Sequence, residues 1–182
     1  DKSTLQFKDN NTDARFVLDL SVFRRSTYYL NLYKCTNITG DLSDVSGVTY
    51  LLNLTNCTNI TGDLSDVSGV ANYLDLTNGT NITGDLSDVS GLTYYLSLYK
   101  CANVTGILTP HPSIQYIYLD NTNTSAADIS QSLVNLEAVT TATGTRVFSA
   151  SHIPVNQLTA AGEAARAALV AAGWTVTLGA AI

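Results

Sequence analysis

The stretch TNITGDLSDVSG, residues 36–47, occurs three times without a change, because residues 58–69 and 80–91 repeat it letter for letter. The residues between the copies differ, yet the spacing is constant. A fixed period of this length is the signature of a repeat architecture, in which a unit buries its apolar side only by stacking on its neighbours. Two leucine columns share the step of 22 residues: Leu30, Leu52, Leu74 and Leu96, and Leu32, Leu54, Leu76 and Leu98.

The units share the consensus L-x-L-x-x-C-x-N-I-T-G-D-L-S-D-V-S-G, from which the third departs at Gly79 and the fourth at several positions after Cys101. The alternating L-x-L part predicts a short strand with both leucines inward, and stacked units then form a parallel sheet with strands about 4.8 Å apart. Ile38, Leu42 and their counterparts are predicted to complete the core. Gly40 and Gly47 allow tight or left-handed backbone. Asp44 and its copies lie where a short helical turn can begin, which predicts a capping role.

These units resemble the repeats of leucine-rich repeat proteins. LNLYKCTNI (30–38), LNLTNCTNI (52–60), LDLTNGTNI (74–82) and LSLYKCANV (96–104) fit the L-x-L-x-x-(N/C)-x-x-L pattern of that family, and the cysteine resembles its cysteine-containing subtype. The final AAGWTVTL is similar to repeat proteins of bacterial surfaces and phage-like gene clusters. The resemblance implies an α/β repeat: a right-handed solenoid with a parallel sheet on its concave face and helix-containing C-terminal capping units. One departure is that Thr or Ala occupies the usual first leucine position, so Val48, Val70 and Leu92 are expected to fill it.

The chain is predicted to be one solenoid domain over residues 1–182. Residues 1–27 form an N-terminal cap, 28–112 hold the four repeats, and 113–182 hold irregular repeats and a C-terminal cap. Within the last part, a helix is expected to begin at Thr124 or Ser125 with Asp128 in its first turn, and another to run from near Thr159 to Gly173. Two strands are expected, TRVFSAS (145–151) and WTVTL (174–178).

In the leucine-rich repeat fold, the positions flanking and between the strand leucines lie on the concave face. All ten tyrosines of this chain fall at such positions. Tyrosine beside Asn, Ser, Thr and Asp is typical of recognition surfaces, which combine rigid aromatic area with adaptable hydrogen bonding. The alternative is that aromatic residues and Thr simply favour strands. The predicted ligand-binding residues are Tyr28, Tyr29, Asn31, Tyr33, Lys34, Tyr50, Asn53, Thr55, Asn56, Tyr73, Asp75, Thr77, Asn78, Tyr94, Tyr95, Ser97, Tyr99, Lys100, Tyr116 and Tyr118.

Charge and motifs restrict the function. A net charge of −6 argues against nucleic acid and against an anionic membrane surface as partners, and no apolar stretch is long enough for a membrane span. No nucleophile elbow, phosphate-binding loop or metalloprotease motif occurs, and the two histidines, His111 and His152, both lie near prolines. The chain is therefore expected not to be an enzyme, and no cofactor is expected.

Four columns of cysteine, asparagine or aspartate have competing interpretations. Cys35, Cys57 and Cys101 match no zinc spacing and are expected to be free buried thiols instead of a disulfide or metal site. The asparagines at position 37 and its copies are expected to form a hydrogen-bond ladder to loop backbone. The columns of Asp41 and Asp44 favour caps and a solvated acidic stripe, while calcium-dependent adhesion is a further class. A thermal melt with and without a chelator tests the calcium class.

These observations predict a non-catalytic module that recognises an extracellular protein or glycan through a tyrosine-rich concave sheet. The alternative is a structural spacer or assembly subunit whose tyrosines pack against another copy or a neighbouring chain, since so much aromatic surface is seldom left bare. Either role is expected outside the cell, at a bacterial surface or on a virion.

Overall fold

The structure, a computed structural model, describes residues 4–6, 17–140 and 144–181. It is an α/β repeat with two parallel sheets, and each 22-residue unit contributes one short strand to each sheet. In chain order the strands are β1 (Thr4–Gln6), β2 (Leu18–Asp19), β3 (Tyr29–Asn31), β4 (Ile38–Asp41), β5 (Leu51–Asn53), β6 (Asn59–Asp63), β7 (Tyr73–Asp75), β8 (Asn81–Asp85), β9 (Tyr95–Ser97), β10 (Asn103–Thr105), β11 (Tyr116–Tyr118), β12 (Arg146–Pro154) and β13 (Trp174–Gly179).

The larger sheet has eight strands in the order β1-β3-β5-β7-β9-β11-β12-β13. Leu52 lies opposite Leu30 on one side and Leu74 on the other, so the register follows the repeat. The predicted parallel sheet of L-x-L strands is confirmed. At the fifth rung the step shortens by one residue, because Tyr116 pairs with Tyr95 and Tyr118 with Ser97.

The second sheet was not predicted. It has five strands in the order β10-β8-β6-β4-β2, and its inner strands come from the invariant NITGD residues. Buried and exposed side chains alternate along these strands, as expected where one side of a sheet faces the core: Ile60 is buried, while Asn59 and Thr61 are exposed. Short 3-10 turns then lead back toward the larger sheet; they span Leu20–Phe23, Leu42–Val45, Leu64–Val67 and Leu86–Val89.

The core lies between the two sheets and the 3-10 turns. Leu30, Leu32, Ile38, Leu42 and Val45 of one unit are all buried, as the repeat predicts. The residues that replace the usual first leucine of the unit are buried too, as predicted; they are Val48, Val70 and Leu92.

The cysteine column belongs to this core, and all three thiols are free and buried. Cys57 Sγ donates to the Leu32 carbonyl oxygen at 3.1 Å, and Cys101 Sγ to that of Leu76 at 3.2 Å, so these two thiols each bond to the preceding unit. Burial raises the pKa of Cys57 and of Cys101 to about 12. Both therefore stay protonated and unreactive at neutral pH.

Two helices cover the C-terminal end, and both predictions are confirmed. Helix α1 (Ala126–Val139) begins after Ser125, which forms a capping box with Asp128. Helix α2 (Ala160–Ala171) begins after Thr159, whose hydroxyl accepts from the Gly162 amide. The described part of the chain contains no helix with the length and apolarity that a membrane span requires.

The predicted N-terminal cap over residues 1–27 is described only in part, since residues 1–3 and 7–16 lie outside the described ranges. Its described residues add β1 to the larger sheet and β2 to the second sheet, next to the first repeat.

Candidate functional site

The invariant segment, residues 36–47 with its copies 58–69 and 80–91, forms hydrogen bonds to the unit before it. Asparagine side chains make the first set, and the predicted ladder to loop backbone is confirmed. A copy that changed this residue would lose a bond to its neighbour, which gives a physical reason for exact repetition. The bonds join Asn59 Nδ2 to Thr36 O at 2.9 Å, Asn81 Nδ2 to Thr58 O at 3.1 Å and Asn103 Nδ2 to Thr80 O at 2.8 Å.

The aspartates of the invariant segment cap the 3-10 turns. Asp41 Oδ1 accepts from the Ser43 amide at 3.1 Å and the Ser43 hydroxyl at 2.8 Å, while Asp44 Oδ2 accepts from the Asp41 amide at 3.3 Å. The capping prediction is confirmed with one correction: Asp41 is the N-cap, and Asp44 is the third residue of the capping box. Thr61 Oγ1 of the next unit also donates to Asp41 Oδ2 at 2.9 Å.

The same arrangement recurs one unit later, where Asp63 accepts from Ser65 and from Thr83. These carboxylates are therefore already engaged as caps and cross-unit acceptors. Over the described residues, no three His, Cys, Asp or Glu side chains converge as a metal site would require.

We expect acid to weaken these caps. The backbone bond from Ser43, then its hydroxyl, lowers the pKa of Asp41, and Ser65 does the same for Asp63. A lowered folded-state pKa stabilises the fold above the unfolded value of about 4, and this contribution is lost as pH falls through the folded pKa. The free energy of unfolding should therefore fall below about pH 4.

The double variant Asp41→Asn/Asp63→Asn tests this expectation, because asparagine retains a capping oxygen but does not titrate. Urea unfolding at pH 7 and pH 3 should show a smaller acid loss for the variant than for the wild type. An equal acid loss in both proteins would refute the role of these two carboxylates.

The tyrosine face is the outward side of the larger sheet and carries all twenty predicted ligand-binding residues. Four of them are exposed, namely Tyr50, Tyr94, Lys34 and Lys100. Eleven more are half-buried: Tyr28, Tyr29, Tyr33, Asn56, Tyr73, Thr77, Asn78, Tyr95, Tyr99, Tyr116 and Tyr118. Whether any of them binds a ligand stays a prediction.

Five residues of the tyrosine face are buried, although they lie on its outward side. In three of them, a short acceptor side chain turns back onto the backbone two residues later. Tyr33, Thr55 and Thr77 donate their amides in this way to Asn31, Asn53 and Asp75, at 3.0 to 3.1 Å. The five buried residues are Asn31, Asn53, Thr55, Asp75 and Ser97.

Most of the aromatic area is packed against itself. Tyr73 and Tyr95 stack at 4.3 Å between ring centroids, and Tyr28 stacks on Tyr50 at 4.8 Å. Tyr116 and Tyr118 close the cluster, at 6.1 and 5.7 Å from Tyr95. Burial first, and the Asp75 charge second, raise the pKa of Tyr95 to about 12, and the same causes raise that of Tyr73. These phenols remain neutral hydrogen-bonding groups.

A turn follows each strand of the tyrosine face and carries its other candidates. Lys34, Asn56, Asn78 and Lys100 all have left-handed backbone, with φ between 59° and 66°. Asparagine in this conformation is readable from sequence, whereas lysine is not. Within the same turns, Thr55 Oγ1 is buried and has no hydrogen-bond partner among the described residues. An unpaired buried hydroxyl costs about 1–3 kcal/mol, and no sequence signal indicated it.

A second polar cluster, which the sequence analysis missed, joins β11, β12 and α1. Asp120 is buried, and its Oδ1 accepts from Ser149 Oγ at 2.9 Å and the Ser151 amide at 2.7 Å. Burial acts to raise the pKa of Asp120, but these hydrogen bonds outweigh it and the pKa is lowered.

His152 lies beside this cluster with both ring nitrogens engaged. Nδ1 accepts from the Asn121 amide at 3.2 Å, which leaves the proton on Nε2, at 3.1 Å from Thr124 Oγ1. Nε2 is then a donor toward Thr124 and cannot take its proton. The hydrogen bond between His152 and Thr124 is therefore structural, because His152 in this tautomer cannot act as a general base toward the Thr124 hydroxyl.

Comparison with protein-family models, curated proteins and solved structures gives no match to this chain. Function must therefore be inferred from the two outer surfaces of the repeat. The invariant segment has its polar groups committed between units, while the tyrosine face combines aromatic rings with left-handed turns and an unpaired hydroxyl.

Proposed function

We propose that the chain is a right-handed leucine-rich repeat solenoid that acts as a non-catalytic binding module. Its ligand is an extracellular protein or glycan, bound on the tyrosine face at a bacterial surface or on a virion. The observation that carries this proposal is the contrast between the two surfaces. The invariant segment, whose side chains bond to the preceding unit, repeats without change in three units, whereas the side chains of the tyrosine face vary from unit to unit.

The proposal is supported by the chemistry of the varying residues. Tyr33 and Tyr99 supply rigid amphipathic rings, and Asn56 and Asn78 supply amides that both donate and accept. Tyr50 and Tyr94 remain more than a third exposed, at 38% and 39%, although they are large aromatic residues. A ligand that covered this surface would remove apolar area from water and gain stability from the hydrophobic effect.

The test compares wild type with Tyr33→Ala/Tyr99→Ala in a binding screen against glycans and cell-surface proteins. We expect the double variant to lose at least tenfold in affinity, since truncating two aromatic anchors removes the side-chain class that dominates binding energy. Ile107→Ala is the matched control, because Ile107 is an exposed apolar residue that follows the second sheet. Equal binding by all three proteins would contradict the proposal for this face.

The alternative, a spacer or assembly subunit, is favoured by the packing of Tyr73, Tyr95, Tyr116 and Tyr118 against one another. Sedimentation of the same variants separates the two functions. An assembly subunit would change its oligomeric state when Tyr33 and Tyr99 are removed, without binding any ligand on the panel.

A further inference from the structure

Four equivalent turns form a row on the tyrosine face. We call this row the trough, and it consists of Tyr33, Thr55, Thr77 and Tyr99 with the residue that follows each. Backbone bonds hold the four turns in register: the Lys34 amide donates to Thr55 O, that of Asn56 to Thr77 O, and that of Asn78 to Tyr99 O. Parallel strands lie about 4.8 Å apart, so Tyr33 and Tyr99 stand about 14 Å apart, three strands from each other. Two small side chains thus lie between two large ones.

The rings at the ends of the trough differ from the rest of the tyrosine face. Among the described residues, neither Tyr33 nor Tyr99 pairs with another aromatic ring. Instead, Lys34 Nζ lies 5.0 Å from the Tyr33 centroid, and Lys100 Nζ lies 5.2 Å from the Tyr99 centroid. Each ammonium covers only one side of its ring, so the rings of the trough keep aromatic surface for a ligand. The rings of the Tyr73–Tyr95 cluster, in contrast, already bury one another.

The floor of the trough carries hydrogen-bonding capacity that the fold does not use. Thr77 Oγ1 bonds with Ser97 Oγ at 2.8 Å, but Thr55 Oγ1 has no partner in the part of the chain that the structure describes. Asn78 Nδ2 donates to Asn56 Oδ1, and their remaining amide groups have no further bond within the described ranges. Thr55 Oγ1 is buried in the free protein, so a ligand reaches it only when neighbouring surface side chains change rotamer, a change that is common on binding.

Charge identifies the kind of ligand. Lys34 and Lys100 lie at the two ends of the trough, and two buried carboxylates, Asp75 and Asp120, lie on the same face of the sheet. Two positive and two negative charges leave no excess that would select an acidic or a basic ligand. Aromatic rings, hydroxyl and amide groups without net charge suit a molecule with apolar C–H faces and many hydroxyls.

We propose that the trough binds a neutral oligosaccharide, with one sugar ring against Tyr33, another against Tyr99, and hydroxyls bonded to Thr55 and to the Asn56–Asn78 pair. This inference rests on the proposed recognition function and adds to it the ligand class and the subsite. The unpaired Thr55 hydroxyl, which weakens the free protein, gains its partner from the ligand.

Thr55→Val is the deciding variant, because valine has the shape of threonine without the hydroxyl. We expect its melting temperature to rise by about 2–4 °C, as an unpaired buried hydroxyl is removed. Its affinity for the same glycan should fall about threefold to tenfold, the effect of one hydrogen bond. Thr55→Ser, which keeps the hydroxyl, should bind within about twofold of wild type.

The probes are neutral hexose and N-acetylhexosamine oligomers with sialylated and sulfated glycans for comparison, measured by calorimetry at low and high salt. Affinity for a neutral ligand should change little with salt. The proposal is overturned if no neutral oligomer binds, or if Thr55→Val and wild type bind equally.

Other outcomes separate this inference from the proposed function. If only acidic glycans or a protein bind, and Tyr33→Ala/Tyr99→Ala abolishes that binding, recognition by the tyrosine face stands and the neutral ligand class fails. If nothing binds and the tyrosine variant alters only the oligomeric state, both proposals fail.

Discussion

Gly62→Ala is expected to lower the free energy of unfolding by about 3 kcal/mol or more. Gly62 lies in β6 with φ at +127°, a conformation that L side chains rarely adopt. A Cβ at this position would also lie 2.7 Å from both the backbone nitrogen and the Cβ of Leu42 in the preceding unit. Strand β6 would have to move away from the preceding unit, because the obstructing atoms are a backbone nitrogen and a Cβ, which side-chain rotation does not move.

Gly69→Ala is the matched control, since no heavy atom lies within 4 Å of a Cβ added there. It should change the free energy of unfolding by no more than about 0.5 kcal/mol. Urea unfolding followed by circular dichroism measures both variants. Similar losses for the two glycines would show that close stacking of the units does not control stability.

Leu74→Ala is expected to cost about 2–5 kcal/mol, because it leaves a cavity in the middle of the array. Leu74 is fully buried in β7 and lies opposite Leu52 in β5 and Leu96 in β9. Each unit contacts its neighbours along the stack, so a defect at the centre also weakens the coupling between the two ends.

The control for the core variant is Leu51→Ala, whose side chain is half-buried on the tyrosine face. Its loss should stay near 1 kcal/mol. Trp174, the one tryptophan, lies in β13 and reports the C-terminal end, while circular dichroism reports the whole chain. The two probes should separate in Leu74→Ala and coincide in the wild type; coincident transitions in both would rule out the uncoupling.

Sequence predicted the larger sheet well, because inward residues obey a simple period. Leucines two residues apart, repeated every 22 residues, place one side of the larger sheet against the core. One leucine column is fully buried throughout, namely Leu30, Leu52, Leu74 and Leu96. The starts of the two helices were equally predictable, because N-caps form between residues close in sequence. Ser125 and Asp128 cap α1, and Thr159 caps α2. The second sheet escaped prediction because its strands contain Gly62 and its copies, which weaken a strand pattern.

Outward residues were less predictable, because their burial depends on neighbours in other units. Asn31 and Ser97 follow the same alternation as exposed strand residues, yet hydrogen bonds and flanking rings bury them. Thr55 and Thr77 have the same place in their units, but only Thr77 finds a partner, Ser97 of the next strand.

The sequence by itself determined the period, the inward columns, the capping role of the aspartates, and the positions of the tyrosines, because each depends on contacts within a unit or on strict repetition. Only the tertiary structure decided which tyrosines stack, which polar groups are buried, and that the Thr55 hydroxyl has no partner. Those properties arise between units that differ in sequence, where side-chain size and register in one rung fix the surroundings of the next.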